Sequence, residues 1–124
     1  MNRSFRRYAV EAARAAAEKH ATDIRLFEVA ARSSVTDYML LSSIESPFQM
    51  EAVCRKIEEV LEEKGLEPLR CDGTQSAVWK VLDYGGMLIH VMHVRAREFY
   101  GLDRLYGDAK KVPWQPRASR SLKH

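Results

Sequence analysis

Cysteine, long apolar runs and paired acids are all scarce in this 124-residue sequence, and each scarcity removes a class of protein. The two cysteines, Cys54 and Cys71, fall in different predicted elements and have no close-spaced metal-ligand partners. They are expected to be reduced core thiols rather than a disulfide or a zinc site. No apolar run approaches the roughly 20 residues that span a bilayer, so no membrane contact is expected. The opening Met1-Asn-Arg-Ser-Phe-Arg-Arg-Tyr8 leads into an Ala/Glu/Arg segment, where a signal peptide would need an uncharged apolar stretch. A cytoplasmic location is therefore expected. Among the 17 acidic residues no two stand two apart, which leaves no Asp-x-Asp pair to hold a catalytic Mg²⁺. A glycine-rich phosphate loop and a Gly-x-Ser-x-Gly elbow are also missing. His90 and His93 are three apart, so on a strand they point to opposite faces and cannot share a metal. These absences together predict a protein that is not an enzyme and has neither cofactor nor metal.

What is present suits one domain with a single core. Alanines at 9, 12, 13, 16 and 17 give a close-packing helical face to a segment from about Phe5 to His20. Two strand candidates follow, Ile24–Ala30 and Tyr38–Ile44, and the short polar link between them permits an antiparallel hairpin. The next helix is announced by Ser46 as N-cap, Pro47 at its first position and Gln49 two residues on; Gly65 stops it. Its apolar stripe is Met50, Val53, Cys54, Ile57, Val60 and Leu61. Pro68 marks Leu66–Asp72 as an edge or strand-entry segment. Val78–Tyr84 and Met87–Val94 are strands joined by Gly85-Gly86, and Arg97–Tyr106 is a helix despite Gly101 within it. The order is α-β-β-α-β-β-β-α. It predicts an α/β (α+β) domain over residues 1–112 with one mixed five-stranded sheet and its helices gathered on one face. Residues 113–124, rich in cations and without periodicity, are expected to be a flexible basic tail.

A two-residue turn at Gly85-Gly86 fixes the register of the last hairpin. Trp79 pairs with Met92, Val81 with His90 and Asp83 with Leu88, all on one surface. Leu82 facing Ile89 and Lys80 facing Val91 share the other with Tyr84 and Met87, a mostly apolar set that suits packing under helices. The Trp79 surface mixes aromatic, thioether and aliphatic groups with one carboxylate and one imidazole, a composition better matched to an interface than to a core. The plainer alternative is that Trp79 and Met92 are ordinary core and Asp83 only flanks the turn.

Three blocks then point to a family. Ser34-Val-Thr-Asp-Tyr-Met39 resembles the "S-V-T-D-Y-F" signature of the Iojap/RsfS family of ribosomal silencing factors. Trp79-Lys-Val-Leu-Asp-Tyr-Gly-Gly-Met-Leu-Ile-His-Val-Met-His93 resembles its "W-x-L-L-D-Y-G-D-x-V-V-H-x-F-H". Arg97-Glu-Phe-Tyr-Gly-Leu-Asp-Arg-Leu-Tyr-Gly-Asp-Ala109 is similar to its "R-x-F-Y-x-L-E-x-L-W-G-D-A". The likeness runs from about Ala9 to Val112. Departures are Glu28 and Gly86 where Asp is usual, Met92 where Phe is usual, and Tyr106 where Trp is usual.

The resemblance implies a nucleotidyltransferase-like core without catalytic carboxylates. It implies binding to ribosomal protein 14 of the large subunit, which blocks joining of the small subunit and represses translation, and a homodimer when free. The site residues expected on this basis are Trp79 and Met92 as apolar anchors, Val81 and Leu88 around them, Asp83 facing a partner cation and His90 as a hydrogen-bonding group, with Asp37 and Tyr38 nearby. Two other readings remain beside it. One is a degenerate nucleotidyltransferase-like enzyme that still binds nucleotides. The other is an RNA-binding accessory protein that touches rRNA through its basic ends, Arg3, Arg6 and Arg7 at one and Lys110, Lys111, Arg117, Arg120 and Lys123 at the other.

Overall fold

The computed structural model describes residues 5–31 and 33–116. Helix α1 (Arg6–Glu18) leads into strands β1 (Thr22–Glu28) and β2 (Tyr38–Ile44), then helix α2 (Pro47–Glu63). Strands β3 (Arg70–Asp72), β4 (Trp79–Asp83) and β5 (Met87–His93) follow, then helices α3 (Val94–Tyr100) and α4 (Leu102–Leu105) and strand β6 (Lys110–Lys111). The sheet order is β3-β4-β5-β2-β1-β6. β2 and β5 are parallel and the remaining pairs antiparallel, so the sheet is mixed as expected. It has six strands rather than five. The sixth, β6, pairs Lys110 and Lys111 with Glu28 and Phe27; two consecutive lysines carry no alternation by which such a strand could be read.

α1 and α2 cover one face, where alanines 9, 12, 13 and 16 let α1 lie close to β1 and β2. The α2 stripe buries Met50, Val53, Cys54, Ile57 and Leu61. Its N-terminus is closed as the sequence indicates: Ser46 Oγ accepts from the Gln49 N–H at 3.1 Å. The Gln49 amide does more than cap. Its Oε1 accepts from Glu45 N at 2.8 Å, and its Nε2 donates to the carbonyls of Lys19 and His20, tying the end of α1 to the start of α2.

The helices do not all gather on one face. α3 and α4 lie on the other side of the sheet, where Phe27, Val29, Met39, Leu41 and Ala109 form a second small core with Leu88, Leu102 and Tyr106 against it. What pins them there is Arg97, 5% exposed. Its guanidinium makes a two-pronged pair with Asp103 at 2.9 Å for both bonds and donates to Ser43 Oγ at 3.0 Å and to the Asp23 carbonyl. Such a fork satisfies the buried charge on several sides at once. The expected single helix over Arg97–Tyr106 is broken at Gly101, whose φ of +60° ends α3 in a left-handed turn. It also starts earlier, at Val94, because His93 Nδ1 accepts from the Arg95 N–H and caps it.

The chain just past β6 also packs on the domain. The Val112 N–H donates to the Leu26 carbonyl, and Trp114 is half-buried with its indole N–H on the Ile24 carbonyl. Residues 113–116 thus follow the edge of β1, three or four residues beyond the boundary expected from composition. The rest of the expected tail, 117–124, lies outside the described residues. Among the described residues no helix is long and apolar enough to cross a membrane.

Candidate functional site

The hairpin register is the one the turn dictates: Trp79 opposite Met92, Val81 opposite His90, Asp83 opposite Leu88. Tyr84 N donates to Met87 O at 3.0 Å to close a two-residue turn, with positive φ at Gly85. Gly86 serves another purpose. A side chain there would collide with the ring of Phe5, which lies over the turn. The Phe5 ring fills the space that a side chain at Gly86 would need.

Trp79 sits on the face away from α1 and α2. Its delivery depends on the 73–78 loop, where Ser76 Oγ accepts from both Val78 N (2.9 Å) and Trp79 N (3.2 Å). Gly73, with φ +73°, passes so close to the Trp79 carbonyl that no side chain fits. The indole is half-buried. Its N–H donates to His90 Nδ1 at 3.0 Å, and its ring packs on Tyr100 with centroids 4.7 Å apart. Tyr100 in turn meets Phe99 edge-on at 5.0 Å, and Phe99 is 80% exposed. Aromatic pairs of this kind hold each other's orientation while leaving outer faces available.

His90 is buried beneath this cluster, and desolvation lowers its pKa to about 4. It is therefore neutral near pH 7, with Nδ1 free of a proton to accept the indole bond. Through that bond it holds the Trp79 indole N–H. Val81 and Leu88 are half-buried on the same surface. Asp83 is engaged within the chain: Oδ1 accepts from Gly85 N at 2.8 Å, and Oδ2 lies 3.4 Å from Arg70. It is nonetheless partly exposed at the rim of the surface.

Two expected contact residues are misplaced. Met92 is on the Trp79 side but completely buried, because α3 turns back directly after β5 and covers it. It supports the surface from below and is not an outward anchor. Tyr38 pairs with Met87, so its side chain goes to the other face and is buried in the core shared with α1. Asp37, one residue earlier, is exposed beside the turn, its N–H donating to the Gly86 carbonyl at 3.2 Å. Phe99 and Tyr100, not singled out from the sequence, belong to the surface. The available signal was the strand–helix junction at His93, which brings α3 back over β5.

The thiols are poor nucleophiles. Burial raises the Cys54 pKa to about 11 and pushes Cys71 upward as well. Among the described residues no three His, Cys, Asp or Glu side chains are grouped to hold a metal ion. The arrangement offers an apolar aromatic surface with a polar rim, a form suited to docking.

The comparisons agree with the sequence blocks. Residues 2–124 match the family described as "Ribosomal silencing factor during starvation". Ribosomal silencing factor RsfS of Bacillus subtilis is 35% identical over 98 residues, covering 79% of this chain and 83% of that protein. The chloroplastic protein Iojap of Zea mays is 30% identical over 105 residues, covering 85% of this chain and 46% of that longer protein. A crystal structure of a protein from Chromobacterium violaceum superposes with a TM-score of 0.81 at 22% identity, covering 95% and 98% of the two chains, which establishes the shared fold. One from Bacillus halodurans gives 0.72 at 27% identity, covering 88% and 96%. With its fold, its three sequence blocks and nearly its full length in agreement, this chain belongs to the RsfS family of ribosomal silencing factors.

Proposed function

We propose that the protein binds the large ribosomal subunit through ribosomal protein 14 of that subunit and sterically prevents the small subunit from joining, so that translation is repressed. The observation that carries this reading is the surface of Trp79, Tyr100 and Phe99 with Val81 and Leu88 beside it. Tyr100 carries α3 onto β4 through the Trp79 ring. Trp and Tyr at the centre of an interface desolvate well and lose little rotamer freedom, and Asp83 and Asp37 at the rim favour a basic partner. The free protein is a homodimer through the same surface, and docking on the ribosome competes with self-association.

Co-sedimentation with isolated large subunits tests this. Truncating a central Trp costs about 2 kcal/mol or more, roughly thirtyfold in affinity. Trp79→Ala is therefore expected to leave the pellet at concentrations where wild type is bound, with its circular dichroism unchanged. A folded Trp79→Ala that pellets as well as wild type would refute the docking site. For the dimer, the same variant should sediment as a monomer in analytical ultracentrifugation.

A further inference from the structure

The indole N–H is the one polar group of a tryptophan side chain, and it can only donate. At Trp79 that group is spent inside the chain. It donates to His90 Nδ1 at 3.0 Å, with the two rings tilted and their centroids 5.9 Å apart. The acceptor is firmly placed. His90 lies in β5 with Val81 of β4 paired to one side and Leu41 of β2 to the other. Its backbone carbonyl also accepts from Ser42 Oγ at 3.5 Å, and the residue is only 9% exposed. Burial keeps the imidazole neutral at pH 7, so Nδ1 has the lone pair that the indole needs. Tyr100, which packs on the indole from the end of α3, is itself 54% exposed. The buried hold on the ring is thus the one that His90 provides. Trp79 remains half-buried, and with its N–H engaged the part left open is carbon.

We infer that His90 is a positioning residue for docking: it fixes the Trp79 side chain in its docking orientation, does not itself meet the partner, and leaves the partner only the carbon surface of the indole. The inference rests on the docking role proposed for Trp79 and narrows it. The sequence pattern gave His90 a bond to the partner, but in the fold that bond is already taken by Trp79. A partner of matching chemistry brings an apolar group or the stem of a long cation to the indole, and not a hydrogen-bond acceptor. Holding the ring beforehand also spares the cost of ordering it at the moment of docking.

The test combines ¹H–¹⁵N spectra of the full chain with its sedimentation on isolated large subunits. The two indole cross-peaks, from Trp79 and Trp114, are told apart with Trp114→Phe. His90→Phe keeps a ring but no acceptor, and should move the Trp79 peak upfield in the proton dimension. The Trp114 peak, from an N–H on the Ile24 carbonyl, should stay in place. His90→Gln can accept from the indole again and should hold the Trp79 peak near its wild-type position. In docking, His90→Phe should weaken affinity about fivefold, the cost of ordering one freed side chain, and His90→Gln should recover most of it. Trp79→Phe has no N–H, so adding His90→Phe to it should bring no further loss, a coupling that a merely structural His90 would not produce. An unmoved Trp79 peak in His90→Phe overturns the inference, as does a folded His90→Phe that docks like wild type. The same fivefold loss on top of Trp79→Phe would mean that His90 acts on the partner directly, and equally overturns it. Should His90→Phe not fold, His90→Gln decides: docking that is kept or lost together with the Trp79 peak supports the inference, and docking that departs from the peak overturns it. Trp79→Ala that still pellets would remove the docking site, and this inference with it. Trp79→Ala lost from the pellet while His90→Phe binds at wild-type level would overturn the positioning role alone.

Discussion

Replacing Arg97 by methionine should both loosen the fold and disable the proposed docking surface, although the Arg97 side chain is itself buried. Its guanidinium is buried and bonded to Asp103, Ser43 and the Asp23 carbonyl. Breaking a buried pair by removing one member costs about 3 to 5 kcal/mol. The Asp103 side chain is 25% exposed and can be partly resolvated, so the lower end applies, about 3 kcal/mol. For a chain of this length that is a fall in melting temperature of roughly 10 °C. Because Arg97 holds α3 against the sheet, Tyr100 should also lose its seat on Trp79. Affinity for large subunits should then fall further than the stability loss explains. Thermal melts by circular dichroism and co-sedimentation give the two readings. Arg97→Lys keeps the charge without the planar fork and should fall between. Replacing Asp103 by leucine in the Arg97→Met background should recover part of the stability, since the carboxylate, left with Arg25 at 3.5 Å and without its two-pronged partner, is then gone. Were Arg97→Met to melt within two or so degrees of wild type, the claim that this pair pins α3 and α4 would be wrong.

Other expectations follow from the same contacts. His90 takes up its proton only near pH 4 when folded, whereas the unfolded chain does so near pH 6.5. Its contribution to stability is thus intact above about pH 6.5 and is lost as pH falls toward 4; by linkage it amounts to about 2 kcal/mol between pH 7 and pH 5. Urea titrations at both values should show that loss in wild type and a smaller one in His90→Gln. Met92→Ala, emptying a fully buried site, should cost about 2 to 5 kcal/mol of stability; near-normal stability with lost docking would restore Met92 as an outward anchor. Gly86→Ala should cost about 1 to 3 kcal/mol by overpacking against Phe5, and the cost should vanish in a Phe5→Ala background when both are measured by urea unfolding.

Sequence pattern disclosed those parts of the fold that are set by short-range chemistry. Ser46-Pro47 and Gln49 dictated where α2 begins, and the Gly85-Gly86 turn dictated the hairpin register to the residue. Strand pairing followed because a shift of one residue would have sent Leu82, Ile89 and Val91 to the wrong face. The misreadings share a cause: each depends on where a distant element lands. Met92 and the placement of α3 and α4 hinge on Arg97 finding Ser43 and Asp23, 54 and 74 residues away. Tyr38 went to the helix face because β2 is central and buried along its whole length, so alternation gave no clue to direction. β6 and Trp114 are held by β1 and α1 through a two-residue pairing and two long-range hydrogen bonds, invisible in a stretch of lysines and prolines. On the proposed docking surface, register placed Trp79, Val81, Asp83, Leu88 and His90 on one side of the hairpin. Tyr100 and Phe99 were not legible from it, since only the tertiary return of α3 brings them there.

Val81→Arg offers the sharpest decision, because Val81 is half-buried on the Trp79 surface and a guanidinium there can reach solvent without disturbing the core. Joining of purified ribosomal subunits is followed by light scattering. Wild-type protein added to large subunits should suppress the rise, and Val81→Arg, folded and melting like wild type, should fail to do so. A Val81→Arg protein that suppresses joining as fully as wild type would contradict the account.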